Sequence, residues 1–351
     1  MKAIQDVLRR IDQIQQQNSM LGFIYGVVKK FGDDQAGYLA ALIAYYAFFS
    51  LFPLLLVFVT ILGFVLSSHP DLRQKVVDTV ASKIPLLDPN QLKTLHGSGI
   101  GLAIALVLTV LAGIGVIMAF EHAMDEIWGV PKHRRPNFLV SRSRALIMLA
   151  VLGVAALGAT VVSSLSGLGG IFAVIGPVGS AALNIAILVV AFKVLTSADV
   201  SWQDVIPGAI VGGIALAILQ IGGALFVQRT LKNANRTYGQ FATVIALLSW
   251  LYLGAQITIY AAEINVVKAK RLWPRSLTEG PTEADRTVYA GRAKAEEQRP
   301  DETVDVRFDA PAAGSQANDG PQESQGGEER QDRQERPAAV PMQRGRSRQQ
   351  L

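Results

Sequence analysis

At 351 residues, half of them hydrophobic, with a mean hydropathy of +0.31 and no cysteine, this chain excludes disulfide staples and thiolate chemistry. Its apolar residues fall in several runs long enough to cross a bilayer, for which about 20 residues suffice, so the pattern is that of a multi-span, all-α membrane protein. The formal net charge of +5 hides a division: residues 1–276 carry 22 Lys/Arg against 13 Asp/Glu, and residues 277–351 carry 11 against 15. The basic surplus lies in the membrane part, which points to lipid headgroups and membrane orientation rather than nucleic acid.

Residues 1–31 read as a cytoplasmic amphipathic helical segment. Ile4, Val7, Leu8, Ile11 and Ile14 recur at helical spacing, with Asp6, Arg9, Arg10 and Asp12 off the stripe. A helix lying on the membrane and a helix packing on the bundle fit equally well. The start of the chain lacks the short apolar core of a secretory signal, so insertion is expected to depend on the first span.

Residues 32–275 are expected to form a six-helix transmembrane domain. The first span, about Tyr38–Leu66, holds Pro53, which should remove a helical hydrogen bond and kink the helix, with Ser50 one turn back. In the loop that follows, Val76, Val77, Val80 and Ile84 predict a short amphipathic helix closed by Pro85 and Pro89. The second, third, fourth and fifth spans are placed near Ile100–Phe120, Ala145–Leu165, Val178–Leu195 and Val205–Val227. The sixth lies within Tyr238–Asn265. In the fifth, Gly208, Gly212, Gly213, Ala217, Gly222 and Gly223 predict close helix contact.

Six spans put both termini on one side. The loops on that side hold 15 Lys/Arg against 7 on the other, so the positive-inside rule favours N-in, C-in. The third outer loop, with Arg229, Lys232 and Arg236, runs against it. Residues 276–351, rich in Gln, Glu, Arg, Gly, Pro and Ala, are expected to form a disordered cytoplasmic tail.

Four segments then occur in order: AYYAFFSLFP (44–53); HAMDEIW (122–128) with RRP (134–136); VSWQDVIPGA (200–209); and Tyr238-Gly239, Trp250-x-Tyr252 and AAEIN (261–265). Together they resemble the YihY/BrkB family of bacterial inner-membrane proteins, once labelled ribonuclease BN. The resemblance covers about residues 20–275. It implies six helices, a multi-pass protein of the bacterial inner membrane and an envelope-related role. The chain departs from the family pattern at Ala261-Ala262, around Leu195–Ser197 and at Gln240-Phe241-Ala242, all at helix ends.

Glu263 is the one carboxylate well inside an apolar run, and a charge there needs protein or water around it. Ser249, Tyr252, Gln256, Tyr260 and Glu263 share one stripe of the sixth helix. With Tyr45, Tyr46, Ser50 and Pro53 on the first helix they form a candidate polar seam or substrate path. The blander accounts are a structural lock, in which Glu263 pairs with a cation near the interface, and ordinary aromatic packing. The loop after the second span sets Glu121, Asp125 and Glu126 beside Lys132, Arg134, Arg135, Arg142 and Arg144, as an ion-pair network or a headgroup site. Trp202 reads as an interface anchor and Asp204 as a helix-capping partner.

The histidines, His69, His96, His122 and His133, make no metal spacing, and no nucleotide loop, hydrolase elbow or RNA-binding module is present. No metal, cofactor, nucleic-acid partner or catalytic residue is expected, and a ribonuclease is the least supported reading. The expected partners are membrane lipids and a second copy of the chain. The expected function is handling or transport of an amphiphilic envelope component such as a lipid. A non-transporting scaffold for envelope integrity is the alternative.

Overall fold

In a computed structural model of the protein, residues 2–65, 99–166, 172–234, 241–278 and 280–308 are described. The helix anticipated over residues 76–84, the Tyr238-Gly239 turn and the tail from residue 309 lie outside the described residues, as do His69 and His96.

Every described element is helical. Two helices precede the first span, α1 (Lys2–Gln17) and α2 (Ser19–Asp33). They are separated by Asn18, whose side chain accepts from the backbone N–H groups of Met20 and Leu21 and so starts α2. Six long helices follow: α3 (Ala36–Val65), α4 (Gly99–Ile127), α5 (Phe138–Ser166), α6 (Phe172–Val194), α7 (Trp202–Ala234) and α8 (Phe241–Lys270). Each carries a stretch long and apolar enough to cross a membrane. Such helices satisfy their backbone groups internally, which hydrocarbon demands. Pro53 lies inside α3, which runs on past it.

Successive spans pack side by side from α3 to α8, and α8 returns to contact both α3 and α4. Small residues let the backbones approach. A methyl group on Gly208 would fall 2.6 Å from Asn265 Oδ1 of α8, and one on Gly213 would fall 2.7 Å from the Ile185 nitrogen of α6. A large buried core lies at the end of the bundle next to α2. There Ala36, Ala40, Met124, Ile127, Phe192, Val205, Ile259 and Val267 form one buried cluster. Away from it, large side chains such as Leu157, Ile214 and Ile218 face outward, as expected where the surroundings are lipid.

Residues 276–308 do not form the disordered segment that composition predicts. A further helix, α9 (Glu283–Ala295), begins in a capping box between Thr282 and Asp285 and buries Ala284, Val288 and Ala295. The stretch lacks an apolar run, so its order comes from charged groups made elsewhere in the chain. Lys29 of α2 lies 2.7 Å from Asp285. Buried Arg275 reaches Asp285 and Asp33 at 2.6 Å each.

Candidate functional site: a buried ion cluster beneath a membrane cavity

Glu263 lies two turns before the end of α8 and has no exposed surface. Its cation is Lys30, in the last turn of α2, with Nζ 3.3 Å from Glu263 Oε2. Lys30 also pairs with Asp34 and donates to the Ile127 carbonyl at the end of α4 at 2.9 Å. One ammonium group thus ties together α2, α4, α8 and the α2–α3 turn. Burial opposes its charge, but Glu263 and Asp34 outweigh that and hold its pKa above the ordinary lysine value. The turn needs such support, because Gln35 takes a left-handed backbone conformation, with φ of 51°, between α2 and α3.

Around this pair α8 makes three more polar or aromatic contacts. Tyr260 stacks on Phe31 with ring centroids 3.9 Å apart. Asn265 Oδ1 accepts from the Gly208 N–H at 2.6 Å, next to Pro207 in the second turn of α7. Lys270 donates to the Trp128 carbonyl at 2.6 Å.

The stripe on α8 is therefore real, but its facing wall differs from the expected one. Gln256 donates to the Tyr252 hydroxyl at 3.1 Å, and that hydroxyl lies close to Gly37. Tyr252, Tyr260 and Glu263 accordingly face the α2–α3 junction. Tyr45 points outward, at 54% exposure, and Tyr46, 40% exposed, lies against Gly115 of α4; both belong to an aromatic ladder with Phe49 and Phe52. Ser50 donates to the Ala47 carbonyl of its own helix, and half-buried Pro53 lies further along the same helix. The face of α3 that turns inward carries Ala36, Ala40, Ile43 and Ala44. Small apolar residues, which give no polar signal in a sequence, take the place assigned to the tyrosines.

The loop residues split in the same way. Arg144 lies 3.3 Å from Glu121 and donates to Ser197. Asp125 accepts from the Ser197 N–H and hydroxyl. Arg135 pairs with Glu126 at 2.9 Å and contacts His122. These groups fasten the end of α4 and the start of α5 to the α6–α7 loop, and tie the α4–α5 loop back to α4 through Arg135. Arg134 and Arg142 are exposed, and Arg142 lies over the Phe138 ring. Asp204 accepts from the N–H and hydroxyl of Ser201, as its capping role requires. Trp202 is exposed, with Lys193 near its ring.

Sequence reasoning missed Lys30, Asp34, Asn265 and the Arg275–Asp285–Lys29 cluster. A charge at a helix end is usually solvated, and nothing local marks Lys30 or Asp285 as buried. Asn265 alone carried a hint, as a polar residue ending the apolar run.

Further into the membrane, a cavity of about 250 Å³ opens between α3, α4, α7 and α8. Ile43, Ala47, Phe120, Leu216 and Leu251 make it apolar, while Gln220, Trp250 and Thr258 add polar groups. Thr258 is satisfied by the Gly254 carbonyl at 2.9 Å. Gln220 hydrogen-bonds Ser180 at 3.0 Å. The buried indole N–H of Trp250 has no hydrogen-bond partner among the described residues. Among those residues, no group of three or more His, Asp or Glu side chains could hold a metal ion.

Six apolar helices, closed at one end by buried ion pairs, define a multi-pass helical membrane protein. The chain belongs to the family described as Virulence factor BrkB, whose model matches residues 27–286, from α2 into α9. It is similar to a UPF0761 membrane protein of Janthinobacterium sp. (strain Marseille), at 26% identity over 55% of this chain and 47% of the relative. It is similar to another from Pseudomonas aeruginosa (strain LESB58), at 30% identity over 49% and 44%. The match to the inner membrane protein YhjD of Escherichia coli (strain K12) is 23% identical but covers 74% of this chain and 85% of that one. The chain spans about half the length of the UPF0761 relatives it matches. No solved structure matches it.

Proposed function

We propose that this protein moves or handles an amphiphilic envelope component, a lipid above all, in a bacterial inner membrane. The observation that carries the reading is the cavity among α3, α4, α7 and α8. It lies just below the size of ordinary small-molecule pockets, roughly 300–1,000 Å³. An apolar lining with a few polar groups suits part of an amphiphile, such as a length of acyl chain beside a hydrogen-bonding group. The membrane placement is supported by the bacterial relatives and by the name of the inner membrane protein YhjD. The excess of Lys/Arg in the loops beside the termini supports N-in, C-in. In this reading the Lys30–Glu263 pair is a lock closing the terminal end of the bundle, and the protein is not an enzyme.

Proteoliposomes with labelled lipid test the reading, using wild type beside Gly254→Leu. A methyl at Gly254 would meet only Leu219, at 3.8 Å, so the larger side chain can fill the cavity without displacing backbone. Wild type should move lipid above the rate of empty vesicles, and the variant should move less. A correctly folded wild type that moves none refutes transport. It leaves the scaffold reading, which the ion-paired platform of α1, α2 and α9 favours.

A further inference from the structure

We propose that α1 and the outward side of α2 form a belt lying in the headgroup region of an anionic bilayer surface. The belt holds whether or not the cavity carries cargo. Its basis is an inversion. On α1 the groups facing protein are polar: buried Asp12 accepts from the Leu277 N–H at 3.0 Å, and buried Gln15 donates to the Arg275 carbonyl at 2.6 Å. The groups facing away are Val7, Ile11 and Ile14, each half exposed or more. In water that arrangement would be reversed, because burying the apolar stripe is what drives an amphipathic helix to pack.

The stripe continues on α2. Met20, Leu21, Ile24 and Val28 are exposed, while Gly22, Gly26 and Val27 turn inward. Beyond the turn it meets exposed Tyr38 and Leu42 on α3, a helix with the length and composition to span the membrane. Exposed apolar residues on α1 and α2 that are followed by those of a span are most simply covered by the same lipid. Arg10 is exposed beside the stripe and Arg9 is exposed further round, with Asp6 the exposed acid on that helix and Gln13 and Gln17 completing its wet side. That is the arrangement of a helix lying in the membrane plane, and its cationic flank selects anionic headgroups.

The absence of cysteine makes the test direct. Full-length Val7→Cys, Ile11→Cys, Ile14→Cys and Ile24→Cys variants, each carrying a fluorophore, are placed in nanodiscs with and without brominated lipid. Gln13→Cys serves as the wet-side control. Probes at 7, 11, 14 and 24 should lose fluorescence to brominated lipid, and the probe at 13 should keep it. Adding anionic lipid should deepen the loss at 7 and 11, and the Arg9→Gln/Arg10→Gln double substitution should remove that increment. Equal quenching at 13 and 11 overturns the belt. So does an unquenched probe at 11 that transfers energy to a labelled second copy, which would make the face a protein interface. An anionic increment that survives loss of both arginines overturns the charge assignment.

Discussion

Replacing Lys30 by Met removes the cation that Glu263 and Asp34 share, leaving Asp34 the half-exposed Arg292 at 4.0 Å. The Lys30 and Asp34 side chains are 6% and 3% exposed, and that of Glu263 is fully buried. Water cannot take over solvation of either acid, and the Ile127 carbonyl loses its donor as well. Removing one member of a buried pair costs about 3–5 kcal/mol, mostly because an uncompensated charge remains. Glu263→Gln is the milder change: Lys30 keeps Asp34 and Ile127, so one polar interaction is weakened, at about 1–2 kcal/mol. Adding Glu263→Gln to Lys30→Met should then cost less than the sum of the two, since the charge the first change strands is removed by the second. Coupling of about 1–3 kcal/mol is expected. Denaturant unfolding in nanodiscs, followed by the tryptophans, reads this well, because the Trp128 carbonyl is bonded by Lys270 beside the cluster. With its pKa raised, the contribution of Lys30 is complete below the ordinary lysine value and is lost only as pH rises through the folded one. A Lys30→Met protein no less stable than Glu263→Gln at neutral pH would refute the shared-cation account.

Other outcomes follow from the same geometry. Gly208→Ala should cost more than about 4 kcal/mol or prevent folding, because the added methyl would collide with the Ala261 carbonyl of α8; expression and gel filtration in detergent report it. Asn265→Leu removes the side-chain acceptor of the Gly208 N–H and should cost about 1–3 kcal/mol, measured by the same unfolding titration. Asp285→Asn should destabilise the protein at neutral pH and loosen residues 276–308, seen as faster proteolysis there. The Asp285 carboxyl is buried, which opposes ionisation. Hydrogen bonds from Lys29, the Ser276 N–H, Arg275 and Thr282 outweigh that and hold its pKa far below the ordinary value. Its contribution is therefore present above the unfolded carboxylate pKa, about 3.9, and is lost as pH falls towards the folded value. The gap between wild type and Asp285→Asn should stay open at neutral pH and narrow only in strong acid. A gap that closes between pH 5 and 7 would count against the network.

The spans were legible because a membrane-crossing helix announces itself in composition: each long apolar run became a helix. The helices also extend past the runs, as α4 does through Asp125 and Glu126, since helix geometry does not stop where hydrocarbon ends. The polar stripe on α8 was equally legible, because helical spacing alone puts Tyr252, Gln256, Tyr260 and Glu263 on one face. The partner of that face was not. Tyr45 and Tyr46 looked like its wall, yet α3 is rotated so that Ala36 and Ala40 turn inward, the Tyr45 ring turns out and the Tyr46 ring lies against Gly115 of α4.

By itself, then, the sequence determined the class of protein, the number of spans and the residue on α8 that needs a counter-charge. Only the tertiary structure decided that this charge comes from Lys30, that Asn265 holds the start of α7, and that Arg275, Asp285 and Lys29 order a segment that composition describes as unstructured. The physical reason is the range of the interactions. Hydrophobic runs and helical periodicity are properties of neighbouring residues. A buried ion pair joins residues more than 200 positions apart, and each of its charges looks like an ordinary solvated one until the fold removes the water.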